Sequence, residues 1–285
     1  MIKKGLDFQP NRFFLVKDAL IRQMRNRLLK PMAQAQYSRW FVTKEFMVHV
    51  DDILENVIAI NYKEVVEYVP GMLKQIYVEA LAHGNLVKSD VDIIVGTIRS
   101  NLLSTCAPID IKDRFVERCL ALPEGQVITL IEPGKNPDEE NSVIEVYYQI
   151  GYQDLAVRSM VSLFEQCVYE QCFNALRTKQ QLGYSVDCGM RMTHGMIGFA
   201  FRIMSSSHSP SDLEGRIYAF ITDFVADLYK MDPAEFQKQK EALIAVKLTK
   251  PNNLNEEAME YWDSVGFPLK GSMFIDFALI LLPPR

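Results

Sequence analysis

The sequence has 285 residues, of which 48% are hydrophobic and 24% are charged, which is the composition of an ordinary globular protein. Its 14 glycines and 13 prolines are too few for a collagen-like or largely disordered chain. The formal net charge of −5 gives no reason to expect binding to nucleic acid or to an anionic membrane. At about 150 residues per domain, this length predicts two domains.

The five cysteines have no paired C-x-x-C spacing, and in a chain of this size they are typical of reduced, mostly buried thiols. The N-terminal residues include two lysines but lack the apolar segment of a signal peptide. No uncharged apolar stretch approaches the roughly 20 residues that a membrane helix needs. A cytoplasmic location is therefore expected.

Helical periodicity dominates the first hundred residues. Residues 11–36 place apolar side chains every four positions, which predicts one helix. Its basic side chains can bind phosphate, but the sequence has no pattern of aromatic residues beside them for stacking on bases. A basic face exposed to solvent is therefore the favoured interpretation. Further helices are predicted over 62–75, which Pro70 kinks or ends, and over 91–103. Between these helices, residues 76–82 alternate in polarity and predict a strand.

Residues 107–125 hold two prolines and show weak periodicity, which marks a linker between the two domains. After the linker, strands are predicted over 126–131 and 142–150, followed by a long helix capped by Asp154. A hairpin of 184–193 and 196–204 is predicted around His194-Gly195. Two further helices are predicted to begin at the capping box 211–214 and at Asp232-Pro233. Antiparallel strands with helices segregated from them predict an α+β sandwich. Residues 264–285 lack helical periodicity and contain an apolar run near their end. This run would expose apolar surface unless another segment or protein packs against it.

The sequence lacks the common catalytic motifs. No two of the four histidines stand four positions apart, so neither H-E-x-x-H nor H-x-x-E-H can be written. A catalytic zinc needs about three protein ligands and an open position, so no metal site is expected in this chain. The G-x-S-x-G, G-x-x-x-x-G-K and G-x-G-x-x-G motifs are also absent.

One stretch, residues 172–184, lies where the long helix ends and the hairpin begins. Gly183 suits a residue that stops a helix at its C-terminus. Arg177 and Tyr184 can both project from this junction and form a pair of hydrogen-bond donors for a polarised carbonyl group. The alternative is an arginine that complements the helix dipole beside a partly buried tyrosine, and spacing alone leaves both interpretations open.

The same stretch carries a family resemblance. Residues 173–184 closely resemble the LRTKEQLGY segment of the insulin-degrading-enzyme-like metallopeptidases, the pitrilysin-like inverzincins that include nardilysin. Residues 79–85 resemble the EALxHGN segment of that family, and residues 144–149 resemble its strand IEIYYQ. Further matches follow in order at 236–238, 248–251 and Tyr261-Trp262. The resemblance covers about residues 11–263.

The resemblance implies the organisation of the chain. Family members have four homologous α+β domains, in which antiparallel sheets pack against helices, and these form two bowl-shaped halves around a closed chamber. The N-terminal half carries H-x-x-E-H and the zinc, whereas the C-terminal half closes the chamber and binds peptide. The chain then corresponds to the later part of domain three (1–106), a linker (107–125), domain four (126–263) and a divergent tail (264–285).

The resemblance also implies roles for individual residues. Arg177 and Tyr184 match the arginine and tyrosine that reach the scissile region, orient substrate and stabilise the oxyanion that zinc-bound water generates. Phe173 and Asn174 match residues beside the pocket for the side chain after the cleaved bond. Where some relatives have a lysine-rich segment that binds polyanions, this chain has Pro251 followed by two asparagines, so polyanion regulation is not expected.

The expected function is that of the non-zinc half of a metalloendopeptidase that degrades insulin-like or amyloid-like peptides. Its partners would be peptide substrates and the N-terminal catalytic half, and the resemblance leaves a homodimer open. The chain alone is expected to bind no zinc and to cleave nothing. The alternative is a catalytically inactive structural or scaffold module of the same fold.

Overall fold

The structure is a computed structural model and describes residues 9–104 and 106–266. The helices are α1 (Pro10–Asn26), α2 (Pro31–Thr43), α3 (Val50–Ala59), α4 (Tyr62–Met72), α5 (Lys88–Ile98), α6 (Leu155–Cys172), α7 (Pro210–Leu228), α8 (Pro233–Lys247) and α9 (Leu254–Gly266). The strands are β1 (Gln75–Ile76), β2 (Ala107–Pro108), β3 (Ser142–Tyr152), β4 (Ser185–Thr193) and β5 (Met196–Ser205). Two π-helical turns, Arg99–Leu103 and Phe173–Lys179, extend α5 and α6.

The described residues form two compact units that interleave along the chain. The first unit holds the residues up to Asn26, Val48–Val116 and Asn253–Trp262. The second unit holds Arg27–Met47, Glu117–Asn252 and the described residues 263–266. The boundaries of the family domains, drawn at 107–125 from the sequence, stay a prediction.

In the first unit, the helices follow the sequence more closely than the strands do. The predicted helix over 11–36 is in fact two helices, because Pro31 lacks an N–H and has a fixed φ, which suits the first turn of α2 but not a helix interior. The helix α4 contains Pro70 in its last turn. The helix predicted over 91–103 consists of α5 and its π-helical turn.

The strand predicted over 76–82 is wrong beyond Ile76. Strand β1 has two residues and pairs in parallel with β2. Residues 77–82 have no described strand beside them. Without a partner, a segment cannot form the ladder of hydrogen bonds that stabilises a strand. The side chains of this segment make other contacts, because Arg114 pairs with Glu79 and its guanidinium carbon lies 5.3 Å from the centroid of the Tyr77 ring.

The second unit is built on a three-stranded antiparallel sheet in the order β3-β5-β4, so the predicted hairpin is confirmed. His194 (φ 45°) and Gly195 (φ 80°) form the two-residue turn between β4 and β5, and both have the positive φ that a type I′ turn requires. The strand predicted over 126–131 is absent, since none of those residues pairs with a strand. The prediction for 142–150 is confirmed by β3.

Helices α6 and α7 pack on this sheet and create the hydrophobic core. One cluster of buried side chains joins α6, its π-helical turn, all three strands and α7; its members include Val161, Val168, Leu176, Ile197, Phe199, Ile203, Leu213, Ile217 and Phe224. The antiparallel sheet with helices packed against it confirms the predicted α+β class. Among the described residues, no helix is both long and apolar enough to cross a membrane.

Helix α2 packs against the sheet through polar side chains. Arg39 of α2 pairs with Glu145 of β3, and its guanidinium carbon lies 5.2 Å from the centroid of the Tyr147 ring. Burial raises the pKa of Tyr147 to about 12. Gly198 of β5 is required beneath that ring, because a Cβ atom there would overlap the tyrosine.

Candidate functional site

The junction singled out in the sequence is a helix that changes its winding. Asp154 caps α6 as predicted, with its carboxylate accepting a hydrogen bond of 2.7 Å from the backbone N–H of Val157. After Cys172 the helix continues as the π-helical turn Phe173–Lys179. Such wide turns are rare and are found frequently at functional sites. The fully buried side chain of Leu176 anchors this turn in the core.

The chain leaves the turn through a backbone conformation different from the one expected. The left-handed residue is Gln181 (φ 53°), and the backbone N–H of Leu182 then bonds to the carbonyl of Leu176 at 3.0 Å. The prediction that Gly183 stops the helix is therefore corrected. Gly183 is needed because a Cβ atom there would overlap the backbone carbonyl oxygen of Met204 on β5.

Arg177 lies between two aromatic rings. Its guanidinium carbon is 5.2 Å from the centroid of the Phe173 ring and 5.5 Å from that of Tyr184, distances typical of cation–π contacts. Its Nε–H donates a hydrogen bond of 2.9 Å to the carbonyl oxygen of Tyr184. These contacts hold the guanidinium group in one orientation. Its terminal nitrogens make no hydrogen bond to any described residue.

The other predicted residues lie next to Arg177. Tyr184 is 82% exposed, and its hydroxyl makes no hydrogen bond within the described part of the chain. Phe173 and Asn174 line an open cleft of about 450 Å³ together with Tyr169, Glu170 and Thr178. The structure thus brings all four predicted residues to one surface. There, the terminal N–H groups of Arg177 and the hydroxyl of Tyr184 can donate to a carbonyl or oxyanion oxygen.

The described residues offer no set of ligands that fits a metal ion. No group of three or more His, Cys, Asp or Glu side chains in 9–104 and 106–266 has the geometry to hold one. The histidines lie apart: His49 caps α3, His83 is 3.1 Å from Glu257, His194 pairs with Glu117 at 3.2 Å, and His208 contacts Ser207. The zinc of the family therefore does not fit this part of the chain.

The predicted burial of the cysteines is confirmed for three of them. Cys167, Cys172 and Cys188 are buried, and the pKa of Cys188 is raised by a hydrogen bond with Cys172 and by burial. Because a nucleophilic cysteine needs a lowered pKa, the raised pKa of Cys188 indicates a structural thiol.

Sequence analysis missed a charged network on the sheet. Arg202 forms a bidentate ion pair with Asp187, with both hydrogen bonds at 3.0 Å, and Arg191 donates to the same carboxylate at 2.7 Å. Arg202 also lies 3.9 Å from Glu145, which pairs with Arg39. A signal was present in the sequence, because the turn at His194-Gly195 sets a register that places Asp187 directly opposite Arg202.

The fold defines the structural class. The crystal structure of pitrilysin superimposes on 98% of this chain with a TM-score of 0.77 and 22% sequence identity, and the match covers 30% of that chain. A conserved protein from Enterococcus faecalis V583 matches 95% of the chain with a TM-score of 0.64 and 12% identity, over 63% of that protein. At such low identities these matches establish the fold alone, which is pitrilysin-like.

The sequence comparisons agree with the resemblance seen in the sequence. A nardilysin-like protein of Arabidopsis thaliana is 32% identical over 263 residues, which are 90% of this chain and 26% of the relative. Human insulin-degrading enzyme is 30% identical over 270 residues, 93% of this chain and 26% of the enzyme. The family model "PQQ synthase PqqF-like, C-terminal lobe domain 4" matches residues 163–262. The predicted resemblance to the C-terminal half of insulin-degrading-enzyme-like peptidases is confirmed, and the chain spans about a quarter of the length of these relatives.

Proposed function

We propose that this chain supplies the C-terminal, non-zinc half of a metalloendopeptidase, in which it forms chamber wall, binds peptide and stabilises the oxyanion. The observation that carries the proposal is the orientation of Arg177. Two rings and the carbonyl of Tyr184 hold its guanidinium group, while its terminal N–H groups stay available on the surface. Donors fixed before the reaction stabilise developing charge without further reorganisation.

The chemistry assigned to this surface is donation of hydrogen bonds to a peptide carbonyl. When water adds to that carbonyl, its oxygen gains negative charge, and the cationic guanidinium and the Tyr184 hydroxyl then bind it more tightly than before. Phe173 and Asn174 line the cleft beside them and would contact the substrate side chain. The name of the human relative says that it degrades insulin, and we propose insulin-like or amyloid-like peptides as the substrate class.

The proposed partner is an N-terminal half that carries H-x-x-E-H. The metal belongs to that half in this proposal, since the described residues here contain no suitable group of ligands. The expected location is the cytoplasm. A homodimer is compatible with the proposal but is not required by it.

The experiment is a reconstitution with a fluorogenic peptide. This chain is assayed alone and with an N-terminal half that carries H-x-x-E-H, such as that of the human relative. We expect turnover only with both halves. Replacing Arg177→Ala should then lower kcat by about 10²–10³, which is the loss measured when one oxyanion donor is removed.

Arg216→Ala is the matched control, because Arg216 is an exposed arginine on α7 whose ion pair among the described residues is with Asp212 of its own helix. It should leave kcat unchanged. Zinc-dependent turnover by this chain alone, or a change in kcat of less than a few-fold in Arg177→Ala, would contradict the proposal. A reconstituted pair without turnover would favour the scaffold alternative.

A further inference from the structure

The cleft beside Phe173 and Asn174 adjoins a larger one. The second cleft, of about 690 Å³, lies between α6 and α8, with Met190 of β4 in its lining. Tyr169 and Glu170 line both clefts. The two clefts therefore lie side by side along α6, and the smaller one contains Phe173 and Asn174 of the candidate site.

The two walls of the α6–α8 cleft carry opposite charges. Helix α6 contributes Glu165 and Glu170, and α8 contributes Lys238 and Lys247. The lining also includes the apolar residues Cys167, Met190, Ala242, Leu243 and Val246. A cleft that combines charged groups with apolar side chains can bind a side chain and select it by charge.

Glu170 is the charged residue that lines both clefts, the larger one and that of Phe173 and Asn174. Its carboxylate makes no ion pair or hydrogen bond with a described residue, whereas Lys238 already pairs with Glu235 at 3.5 Å. The two aromatic residues that share its cleft, Tyr169 and Phe173, are 51% and 39% exposed. A carboxylate beside aromatic rings is a combination that attracts a lysine or arginine side chain.

We infer that the α6–α8 cleft binds the part of the peptide that extends beyond the Arg177 site, and that Glu170 selects peptides with a basic side chain there. This inference rests on the proposed function, because it needs a peptide held at Arg177. Glu170 is a specificity-determining residue in this arrangement and takes no part in the chemistry.

The test measures binding to this chain alone, by fluorescence anisotropy at low salt. The probe is a nine-residue peptide with an N-terminal fluorophore, in which lysine, glutamine or glutamate is placed at each position in turn. At one or two adjacent positions, the lysine peptide should bind about three- to fivefold more tightly than the glutamine peptide, the upper range for a partly exposed ion pair. Glu170→Gln should abolish this difference, and Glu170→Lys should transfer the preference to glutamate.

Glu124→Gln is the matched control, because Glu124 is an exposed glutamate in the loop 121–126, outside both clefts. It should leave the lysine preference intact. Two kinds of failure are distinguishable. If no peptide binds, or if all bind Arg177→Ala equally well, the proposed function and this inference are both overturned. If binding requires Arg177 but ignores charge, or if the lysine preference survives Glu170→Gln, the inference alone is overturned.

Discussion

At the scale of single residues, Arg177 shows how neighbours decide between two chemically reasonable roles. An arginine near a helix end can interact with the last carbonyl groups of its own helix. Here its Nε–H instead bonds to the carbonyl of Tyr184, seven residues later, and its plane lies between two rings. Tyr184 is largely exposed rather than partly buried, so the structure favours donor groups turned to solvent over the alternative of helix-dipole compensation.

His194 is a second residue whose environment has a measurable consequence. Its side chain is 10% exposed, and burial lowers its pKa, with Lys44 acting in the same direction and Glu117 opposing. In the unfolded chain the pKa is about 6.5, so the unfolded state takes up the proton first as the pH falls. The free energy of unfolding should therefore decrease as the pH drops below about 6.5.

Urea denaturation at pH 7.5, 6.5 and 5.5 measures this effect. His194→Asn is the informative variant, because asparagine tolerates the positive φ of the turn and does not titrate in this range. Its loss of stability between pH 7.5 and 5.5 should be smaller than that of the wild type. An identical pH dependence in both proteins would show that His194 stays equally protonated in the folded and unfolded states.

At the scale of elements, α4 to α8 were predictable from local signals, whereas α3 was missed, α1 and α2 were predicted as one helix, and two predicted strands did not form. The caps of α6 and α8 at Asp154 and Asp232 form as their sequences indicate, because each carboxylate accepts a hydrogen bond from a backbone N–H no more than three residues away. The cap of α7 is Ser209 rather than Ser211, a shift of two residues within the same turn signal. By contrast, residues 77–82 and 126–131 were predicted as strands but have no described strand beside them. A strand forms only when a second segment pairs with it.

The connection from α6 to β4 brings Gly183 close to the backbone of Met204 on β5. Gly183→Ala would place a Cβ atom into the carbonyl oxygen of Met204, a backbone atom that cannot rotate away. We expect a loss of about 1–3 kcal/mol in the free energy of unfolding, the usual cost of overpacking, measured by urea denaturation. Since Tyr184 is the next residue, peptide binding should weaken as well.

Gly215→Ala provides the opposite control. Gly215 lies within α7, and a Cβ atom there meets nothing within 4 Å. This substitution should stabilise the chain by about 0.5–1 kcal/mol, because alanine restricts the unfolded chain and favours helix. Equal effects of the two substitutions would contradict the close approach at Gly183.

At the scale of the whole molecule, charged side chains join segments that are far apart in sequence. Arg39 on α2 pairs with Glu145, whose side chain is 5% exposed, and Arg202 lies between Glu145 and Asp187. Because α2 packs here, residues 27–47 join the second compact unit although α1 belongs to the first. The apolar periodicity of residues 11–36 did not indicate that α1 and α2 belong to different units.

Breaking the Arg39–Glu145 pair should be costly. Within the described part of the chain, Arg39→Met leaves the buried carboxylate of Glu145 with Arg202 as its remaining cation, at 3.9 Å. Removal of one partner of a buried pair typically costs about 3–5 kcal/mol. Urea denaturation measures this loss. The double variant Arg39→Met/Glu145→Leu should recover most of it, because no charge is then left buried. A loss below about 1 kcal/mol in Arg39→Met would mean that water replaces the arginine.

The sequence by itself determined the elements that local interactions stabilise: the helix α6 with its cap, the hairpin around His194-Gly195, and the family resemblance that singled out Phe173, Asn174, Arg177 and Tyr184. Only the tertiary structure decided which strands have partners, that Gly183 acts through close approach, and that Tyr169 and Glu170 join two clefts. The physical reason is distance along the chain. Caps and turns are settled within a few residues, whereas pairing, clefts and buried ion pairs depend on segments that meet only after folding.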